Sequence, residues 1–311
     1  METPSESNLQ DGDGTLKAVL LTIGPQAPER PKWLRAPAPV GQNYRELKDL
    51  ITDLKLHTVC ESAACPNVGE CWNRRTATFM ILGNVCTRRC GFCAVQKGGP
   101  LAVDYDEPRR VAEAVAIMGL RYAVVTSVNR DDRKDGGAEL FQLTIEAIRA
   151  RVPQCKVEVL VPDFQGSHAA MKIVMDARPD VLNHNTETVP RLYRQVRLGA
   201  RYERSLEMLR FAKELRPETP VKSGLMLGLG ETPEEVLQVM RDLQAHRVDI
   251  LTLGQYLRPS QKHLPIVRYI PPAEFDDYRR AGAEMGFAHV EAGPLVRSSY
   301  HADDSHAAAT C

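Results

Sequence analysis

The sequence predicts an α/β protein built around a parallel β-sheet. Short apolar, β-branched runs alternate with amphipathic stretches of helical period through the middle of the chain. Strands that alternate with helices indicate βαβ units, in which neighbouring strands run parallel. The 311 residues, 43% of them hydrophobic and 26% charged, are enough for a substantial core without disulfides.

Six runs predict strands, at residues 77–82, 122–127, 157–161, 180–182, 221–227 and 249–253. The stretches that predict helices are residues 43–54, 107–118, 138–151, 167–177, 203–215, 233–246 and 272–285. Thr232 followed by Pro233 is typical of a capped helix start. Periodicity leaves open whether the sheet is flat and doubly wound or curved into a partial or complete barrel. In either fold, functional groups are expected in the loops after the carboxyl ends of the strands.

Composition divides the chain into four parts. Residues 1–30 are polar and aperiodic, which predicts a disordered tail. Residues 31–75 form an N-terminal extension with three cysteines, and residues 76–257 form the α/β core. Residues 258–311 form a C-terminal extension that ends in a polar, alanine-rich segment, for which we expect a flexible tail.

Charge and hydropathy exclude several classes of function. The 40 Lys and Arg balance the 40 Asp and Glu, which argues against a nucleic-acid binder with a broad basic face. No apolar run approaches the roughly 20 residues that a membrane-spanning helix needs. The N-terminus is acidic and lacks the cationic start of a secretory signal, so we expect a cytoplasmic protein, with no membrane and no nucleic acid among its partners.

Eight cysteines stand out in such a protein, because thiols in the cytoplasm stay reduced. Six of them form two groups of three. The first triad is Cys60, Cys65 and Cys71 (C-x4-C-x5-C), and the second triad is Cys86, Cys90 and Cys93 (C-x3-C-x2-C). Three thiolates leave one iron of a cubane iron–sulfur cluster free for another ligand, whereas a structural zinc site takes four protein ligands. The pattern favours two clusters over the alternatives, a shared zinc site or a redox pair at Cys90 and Cys93.

The second triad, with the aromatic Phe92 before its last cysteine, resembles the signature of radical S-adenosylmethionine enzymes. The two triads together resemble those of the lipoyl synthase family. Further matching motifs are Arg130-Asp-Asp132, Asp135-Gly-Gly137, Pro162-Asp-Phe164, His184-Asn185, Gly228-Leu-Gly-Glu231, Gln255-Tyr-Leu-Arg-Pro259 and Gly293-Pro-Leu-Val-Arg-Ser-Ser-Tyr300. The resemblance covers roughly residues 30–300. It implies a partial (β/α)6 barrel of the radical S-adenosylmethionine type, with N-terminal and C-terminal extensions that close its open face.

The resemblance also implies two [4Fe-4S] clusters and S-adenosyl-L-methionine as cofactors. The cluster on the second triad would bind S-adenosylmethionine and, given one electron, cleave it to a 5′-deoxyadenosyl radical. Phe92 would pack near the adenine. Gly224 and Gly228 would allow the backbone to approach the cofactor, and Glu231 completes that motif, although a tight turn between strand and helix explains this segment equally well.

The cluster on the first triad would be the sacrificial sulfur donor, with Ser299 as the ligand of its remaining iron; sequence logic does not separate Ser299 from Ser298. The implied reaction inserts two sulfur atoms at C6 and C8 of a protein-bound octanoyl group, and makes the chain a sulfurtransferase. Implied partners are an octanoylated carrier domain, a ferredoxin or flavodoxin as low-potential electron donor, and an iron–sulfur carrier that rebuilds the first cluster. The alternatives are another radical sulfur-inserting enzyme, which acts on a small molecule, and a non-catalytic iron–sulfur electron carrier or sensor.

A run of arginines after the fourth predicted strand permits one further expectation. Its members recur every three or four positions, at Arg191, Arg194, Arg197, Arg201 and Arg204. On one helix they would form a basic stripe, either a solvated face or a docking site for an acidic carrier domain. Gly199 interrupts this pattern.

Overall fold

The computed structural model describes residues 29–35, 42–62, 65–74 and 76–310, with the side chains of residues 42–44 left out. The predicted disordered tail therefore lies outside the described residues, apart from positions 29 and 30. The strands are β1 (His57–Thr58), β2 (Thr76–Ile81), β3 (Val85–Cys86), β4 (Gln96–Lys97), β5 (Tyr122–Ser127), β6 (Lys156–Leu160), β7 (Val181–Asn183), β8 (Val221–Leu227), β9 (Ile250–Gln255) and β10 (His289–Gly293).

Eight of these strands form one sheet in the order β1-β2-β5-β6-β7-β8-β9-β10. The short edge strand β1 is antiparallel to β2, and all the other pairs are parallel. No pairing within the described ranges joins β10 back to β1 or β2, so the sheet is an open, partial barrel. The six predicted strands are confirmed, and β10 adds a seventh parallel strand that the weak pattern after residue 257 did not predict.

The helices are α1 (Gln42–Asp53), α2 (Val59–Ser62), α3 (Val68–Asn73), α4 (Glu107–Ile117), α5 (Ala138–Arg151), α6 (His168–Asp176), α7 (Tyr193–Val196), α8 (Tyr202–Leu215), α9 (Pro233–Ala245), α10 (Pro272–Met285) and α11 (Ala302–Thr310). Helices α4, α5, α6, α8 and α9 connect successive parallel strands, as expected for βαβ units. Thr232 caps α9 in a capping box with Glu235, which confirms the predicted start. Among the described helices, none combines the length and the apolar character that crossing a bilayer requires.

Successive side chains of each strand point alternately toward the surrounding helices and into the barrel lumen. The middle of the lumen holds a fully buried ion pair, with Lys222 Nζ 3.2 Å from Glu158 Oε1. Tyr122 and Asn183 donate hydrogen bonds of 3.0 and 2.9 Å to the same carboxylate. Because a buried charge is costly unless it is paired and hydrogen-bonded, this cluster is a fixed polar layer of the barrel.

The C-terminal segment corrects one expectation. Residues 302–310, predicted to be part of a flexible tail, form α11, with Ala302 and Ser305 fully buried. Ala302 packs with Tyr122 and Val124, side chains on the lumen side of β5, and His306 lies 5.9 Å from the Tyr122 ring. Alanine has the highest helix propensity, and tertiary packing supplies the rest. Cys311 lies outside the described residues.

The arginine run does not form a single helix. Residues 190–192 form a 3-10 turn, α7 ends at Val196, and Gly199, at a φ of +91°, separates α7 from α8. Arg197 is buried, whereas Arg194 and Arg201 are exposed. A continuous stripe on one helix is therefore wrong, since the backbone leaves the helical conformation at Arg197 and turns through the left-handed Gly199 before α8 begins.

Candidate active site

The second triad lies in the loop that directly follows β2, at the carboxyl edge of the barrel. The loop is closed by the parallel pairing of β3 with β4 and by a 3.0 Å hydrogen bond from Gly98 N to Cys86 O. Cys93 N lies 3.4 Å from Cys90 O. A short local loop thus gathers three partly buried thiols at the position where βα proteins place functional groups.

Contacts with the next βα loop fix the orientation of the second triad. Asn129 N donates to Cys86 Sγ at 3.3 Å, and Thr87 Oγ1 donates to Asn129 O at 2.9 Å. Buried Arg88 bonds to Asp131 at 2.7 Å and to Asp163 at 2.5 Å. Arg88, which lies between Cys86 and Cys90, therefore anchors the loop to the segments that follow the carboxyl ends of β5 and β6.

Burial and charge act together on these thiols. Burial is the largest cause that raises the pKa of Cys90 to about 11; Arg197 opposes it, while Glu187 and the other two thiols of the triad add to it. Burial also raises the pKa of Cys93. The Cys90 thiol is therefore protonated at neutral pH in the metal-free protein, and a metal bound there would have to displace its proton.

Three polar atoms beside this loop are buried without a hydrogen-bond partner among the described residues: Ser127 Oγ, Asn129 Oδ1 and Asn185 Oδ1. They lie at or just beyond the carboxyl ends of β5 and β7. Buried polar atoms in proteins are nearly always hydrogen-bonded, so orphaned atoms grouped at one edge indicate the place of a polar ligand. They fit the amine, carboxylate and hydroxyl groups of S-adenosylmethionine.

Glu187 and Arg197 are the charged residues of this site that the sequence analysis did not assign to it. Glu187 has a φ of +66° and accepts a 3.2 Å hydrogen bond from Asn185 Nδ2. Burial raises the pKa of Glu187, with Arg197 acting in the opposite direction. Arg197 donates to Asn185 O at 2.8 Å. The sequence feature that could have identified Glu187 and Arg197 is their position after β7, the fourth parallel strand, where polar residues are expected to face the site.

Residues 224–231 hold the glycines of the predicted cofactor motif. In this segment β8 packs closely on its neighbours, and a turn follows. A Cβ on Gly224 would lie 2.4 Å from Thr252 Oγ1 and 3.0 Å from Asn185 Oδ1, so only glycine fits beside the orphaned amide. Gly228 has a φ of +102°, and a Cβ there would lie 2.5 Å from Arg268 O. Glu231 accepts hydrogen bonds from the backbone of Gly228 and Leu229. Its carboxylate thus closes the turn, and its contact with a cofactor stays a prediction, as does that of Phe92, which packs against the core.

The first triad is spread over two short helices of the N-terminal extension. Cys60 lies in α2 and Cys71 in α3, and Cys65 N donates to Cys60 O at 2.9 Å. Burial, followed by the neighbouring thiols, raises the pKa of both Cys60 and Cys71 to about 12. Within the described ranges, no three His, Cys, Asp or Glu side chains are grouped so as to hold a single metal ion.

The C-terminal extension packs directly on the first triad. Asn67 Nδ2 donates to Leu295 O at 2.6 Å, and Glu70 accepts from Tyr300 Oη at 3.2 Å and pairs with His301 at 2.9 Å. Arg297 lies partly buried near Cys65, and desolvation lowers the pKa of its guanidinium.

Ser299 belongs to the turn that Tyr300 N closes onto Arg297 O at 2.9 Å. The residues on either side of Ser298 and Ser299 are thus bound to the first triad and its helices. This arrangement does not distinguish Ser299 from Ser298.

Comparison with known proteins gives the family. Residues 80–243 match the profile of the Radical SAM superfamily, and residues 6–65 match the N-terminal domain of lipoyl synthase of the Radical SAM family. A lipoyl synthase of Koribacter versatilis is 62% identical over 287 residues, 92% of this chain and 94% of the relative. Another, from Rubrobacter xylanophilus, is 64% identical over 275 residues, 88% of this chain and 86% of the relative.

Solved structures support the fold. Methylornithine synthase matches with a TM-score of 0.50 at 17% identity, over 83% of this chain and 87% of that one. Streptococcus suis SuiB bound to its precursor peptide SuiA matches with a TM-score of 0.56 at 11% identity, over 81% of this chain and 53% of that one. The parallel partial barrel, the two triads and the curated relatives agree, and the chain belongs to the lipoyl synthase family of radical S-adenosylmethionine enzymes.

Proposed function

We propose that this enzyme inserts two sulfur atoms, at C6 and C8, into an octanoyl group bound to a carrier protein, which gives the lipoyl cofactor. The observation that carries the proposal is the presence of the first triad in addition to the second. Beyond the triad on the barrel loop, the chain assembles a first triad between its two extensions, with Arg297 partly buried near Cys65. The lipoyl synthases that match 92% and 88% of this chain support sulfur transfer as the role of this assembly.

Membership of the superfamily implies a [4Fe-4S] cluster and S-adenosylmethionine. The residues present fit them: the second triad supplies three thiolates, and the orphaned atoms of Ser127, Asn129 and Asn185 lie beside it. When bound, these groups supply one-electron cleavage of the sulfonium and a carbon radical. The protein contributes position and exclusion of water, with the partly buried Glu187 and the buried Arg197 as the charges that orient the bound cofactor.

The lumen suits an acyl chain. Leu160 and Met226 are only partly buried. The strand register, together with the alternation of side chains between the two faces of the sheet, places both on the lumen side near the carboxyl edge. Below them lies the polar layer of Glu158 and Lys222. The C–H bonds of an octanoyl chain offer no acidic proton and no leaving group, so a radical is the feasible opening, and apolar walls protect it from water.

The first triad would hold a second cluster that donates its sulfur, with Ser299 at the iron that the thiolates leave free. An alkoxide is a harder and more basic ligand than a thiolate, so it is readily protonated and released. Two C–S bonds require two S-adenosylmethionines per lipoyl group. The partners that follow are an octanoylated carrier domain, a ferredoxin or flavodoxin, and an iron–sulfur carrier that rebuilds the cluster. A cytoplasmic location stays a prediction from the sequence.

The test is anaerobic incubation of the reconstituted protein with S-adenosylmethionine, dithionite and an octanoylated carrier domain. We expect 5′-deoxyadenosine together with a lipoylated carrier, in a ratio of two to one. Release of 5′-deoxyadenosine with sulfur found only in a small molecule would identify another sulfur-inserting enzyme. Absence of any 5′-deoxyadenosine would favour a passive electron carrier and contradict the proposal.

A further inference from the structure

Three segments of the chain meet on one surface around the second triad. They are residues 83–100, 190–201 and 256–267, and together we call them the basic rim. Gly91 N donates to Val196 O at 3.0 Å, Leu264 N donates to Gly91 O at 3.1 Å, and His263 Nε2 lies 3.1 Å from Cys93 O. The segments are therefore fixed to one another and to the cysteine loop.

The charge of the basic rim is one-sided. Its three segments contain nine Lys and Arg and no Asp or Glu, in a chain that is neutral as a whole. Five of the nine are exposed and make no ion pair with any part of the chain that the structure describes: Arg89, Lys97, Arg194, Arg201 and Lys262.

Carboxylates at the border of the rim do not neutralise these five. Asp131 and Asp163 pair with Arg88, and Glu235 pairs with Arg191. On the adjoining loop, Asp132 pairs with Arg130, and Asp135 pairs with Arg133. These five carboxylates are thus occupied, and the rim keeps an excess of positive charge for a partner.

Rim segments 190–201 and 256–267 form a surface against the backbone of the cysteine loop. The carbonyl oxygens of Gly91 and Cys93 face it, whereas Cys86 Sγ faces Asn129 at the barrel edge. Two exposed apolar side chains, Leu198 and Val267, add contact area to it. A partner bound here reaches the cysteine loop from its backbone side and not from the lumen, which suits the transfer of an electron. An octanoyl arm, by contrast, has to enter the lumen.

We propose that the basic rim is the docking surface for an acidic one-electron carrier protein, with the contact of His263 Nε2 with Cys93 O as one direct connection between segment 256–267 and the cysteine loop. The proposal rests on the proposed function, which requires a low-potential donor. In the transfer, a reduced flavin or iron–sulfur centre of the donor is oxidised by one electron, and the group held by the second triad is reduced by one. No covalent bond is formed or broken.

The test reverses two charges of the rim, Arg194→Glu with Lys262→Glu, in the reconstituted full chain. An acidic flavodoxin, kept reduced by its NADPH-dependent reductase, is the probe. We expect the rate of 5′-deoxyadenosine formation with flavodoxin to fall by about tenfold or more, because steering of oppositely charged partners is lost. The Kd for flavodoxin, measured by fluorescence anisotropy, rises in parallel and loses much of its salt dependence. With dithionite, which needs no docking, the rate stays unchanged.

The matched control is Arg121→Glu with Lys48→Glu, two exposed cations that make no ion pair among the described residues and lie outside the rim. It should leave both rates and the Kd unchanged. An equal loss with dithionite, or an unaltered Kd for flavodoxin in the rim variant, would overturn the proposal. So would a raised KM for the octanoylated carrier with flavodoxin binding intact, since the rim would then receive the carrier. Failure of the proposed function is separate, because it shows in the wild type with dithionite as missing sulfur insertion.

Discussion

The two triads differ in the distance along the chain over which each is assembled. The second triad lies within eight residues on one loop, and a strand of the barrel presents it. The first triad is spread over two short helices, and residues more than 220 positions later in sequence pack on it, as in the bond from Asn67 to Leu295. A compact loop can be identified from its motif, whereas a site shared by two chain extensions exists only in the folded molecule.

The two triads also differ in their charged neighbours. Cys90 lies near two opposite charges, the partly buried Glu187 and the buried Arg197, while Cys65 has the partly buried guanidinium of Arg297 near it. Orphaned polar atoms accompany the second triad and indicate a polar ligand there. The difference suggests a division of labour, in which the second triad generates the radical and the first gives up sulfur.

The largest expected effect is a different loss of activity when a cysteine of each triad is replaced. Cys90→Ala should abolish 5′-deoxyadenosine formation, because the cluster that binds S-adenosylmethionine is lost. Cys65→Ala should leave that formation measurable and prevent lipoylation. Both products are quantified by mass spectrometry, and circular dichroism controls for folding. A folded Cys65→Ala protein that makes no 5′-deoxyadenosine would end the proposed division.

Ser299→Ala tests the ligand set of the first triad. Loss of a cluster ligand should reduce sulfur transfer by about 100-fold, the upper end of what changes around metal sites cause. Spectroscopy of the variant with the second triad replaced by alanine then reports on the first cluster alone. Ser298→Ala is the matched control. An unchanged spectrum and full sulfur transfer in Ser299→Ala would exclude this serine as a ligand.

Gly91→Ala tests the second triad without touching a thiol. The added Cβ would lie 2.9 Å from Gln195 O and 2.8 Å from Leu264 Cδ1, so the cysteine loop has to shift. We expect about a tenfold loss of S-adenosylmethionine cleavage, since small displacements of reacting groups are costly. Gly99→Ala, with nothing within 4 Å of the new Cβ, is the control. Equal activity of both variants would show that the packing of residue 91 does not position the site.

The smallest effect concerns the contact between the two extensions. Arg74 Nη2 lies 2.6 Å from Asp304 and 3.2 Å from Asp303, in side chains that are about one-quarter to one-half exposed. Arg74→Gln should therefore lower the free energy of unfolding by only about 0.2–1 kcal/mol, and less at high salt. Urea titration at two salt concentrations measures this, with the exposed pair of Arg109 and Asp106 as a reference. A loss that does not depend on salt would contradict the electrostatic explanation.

The sequence by itself determined the parallel α/β architecture and the second triad, whereas its periodicity left open whether the sheet is flat or curved. Residues 122–127 and 221–227 were predicted as strands and match β5 and β8 to the residue, and helix α5 does so as well. Period-2 and period-3.6 patterns record which face of an element is buried, and this is local information. The cysteine spacing is equally local, because one loop carries all three thiols.

Only the tertiary structure decided which residues surround the triads. Glu187, Arg197 and the orphaned amide of Asn185 come together through the end of β7 and the turn before α8, and no spacing in the sequence announces this. Helix α11 forms because Ala302 and Ser305 find a buried place against the barrel, although their segment looks like a polar tail. The physical reason is long-range packing: Arg197 comes to lie near Cys90, and Ala302 packs on Tyr122, and in both cases the partner is far away in the chain.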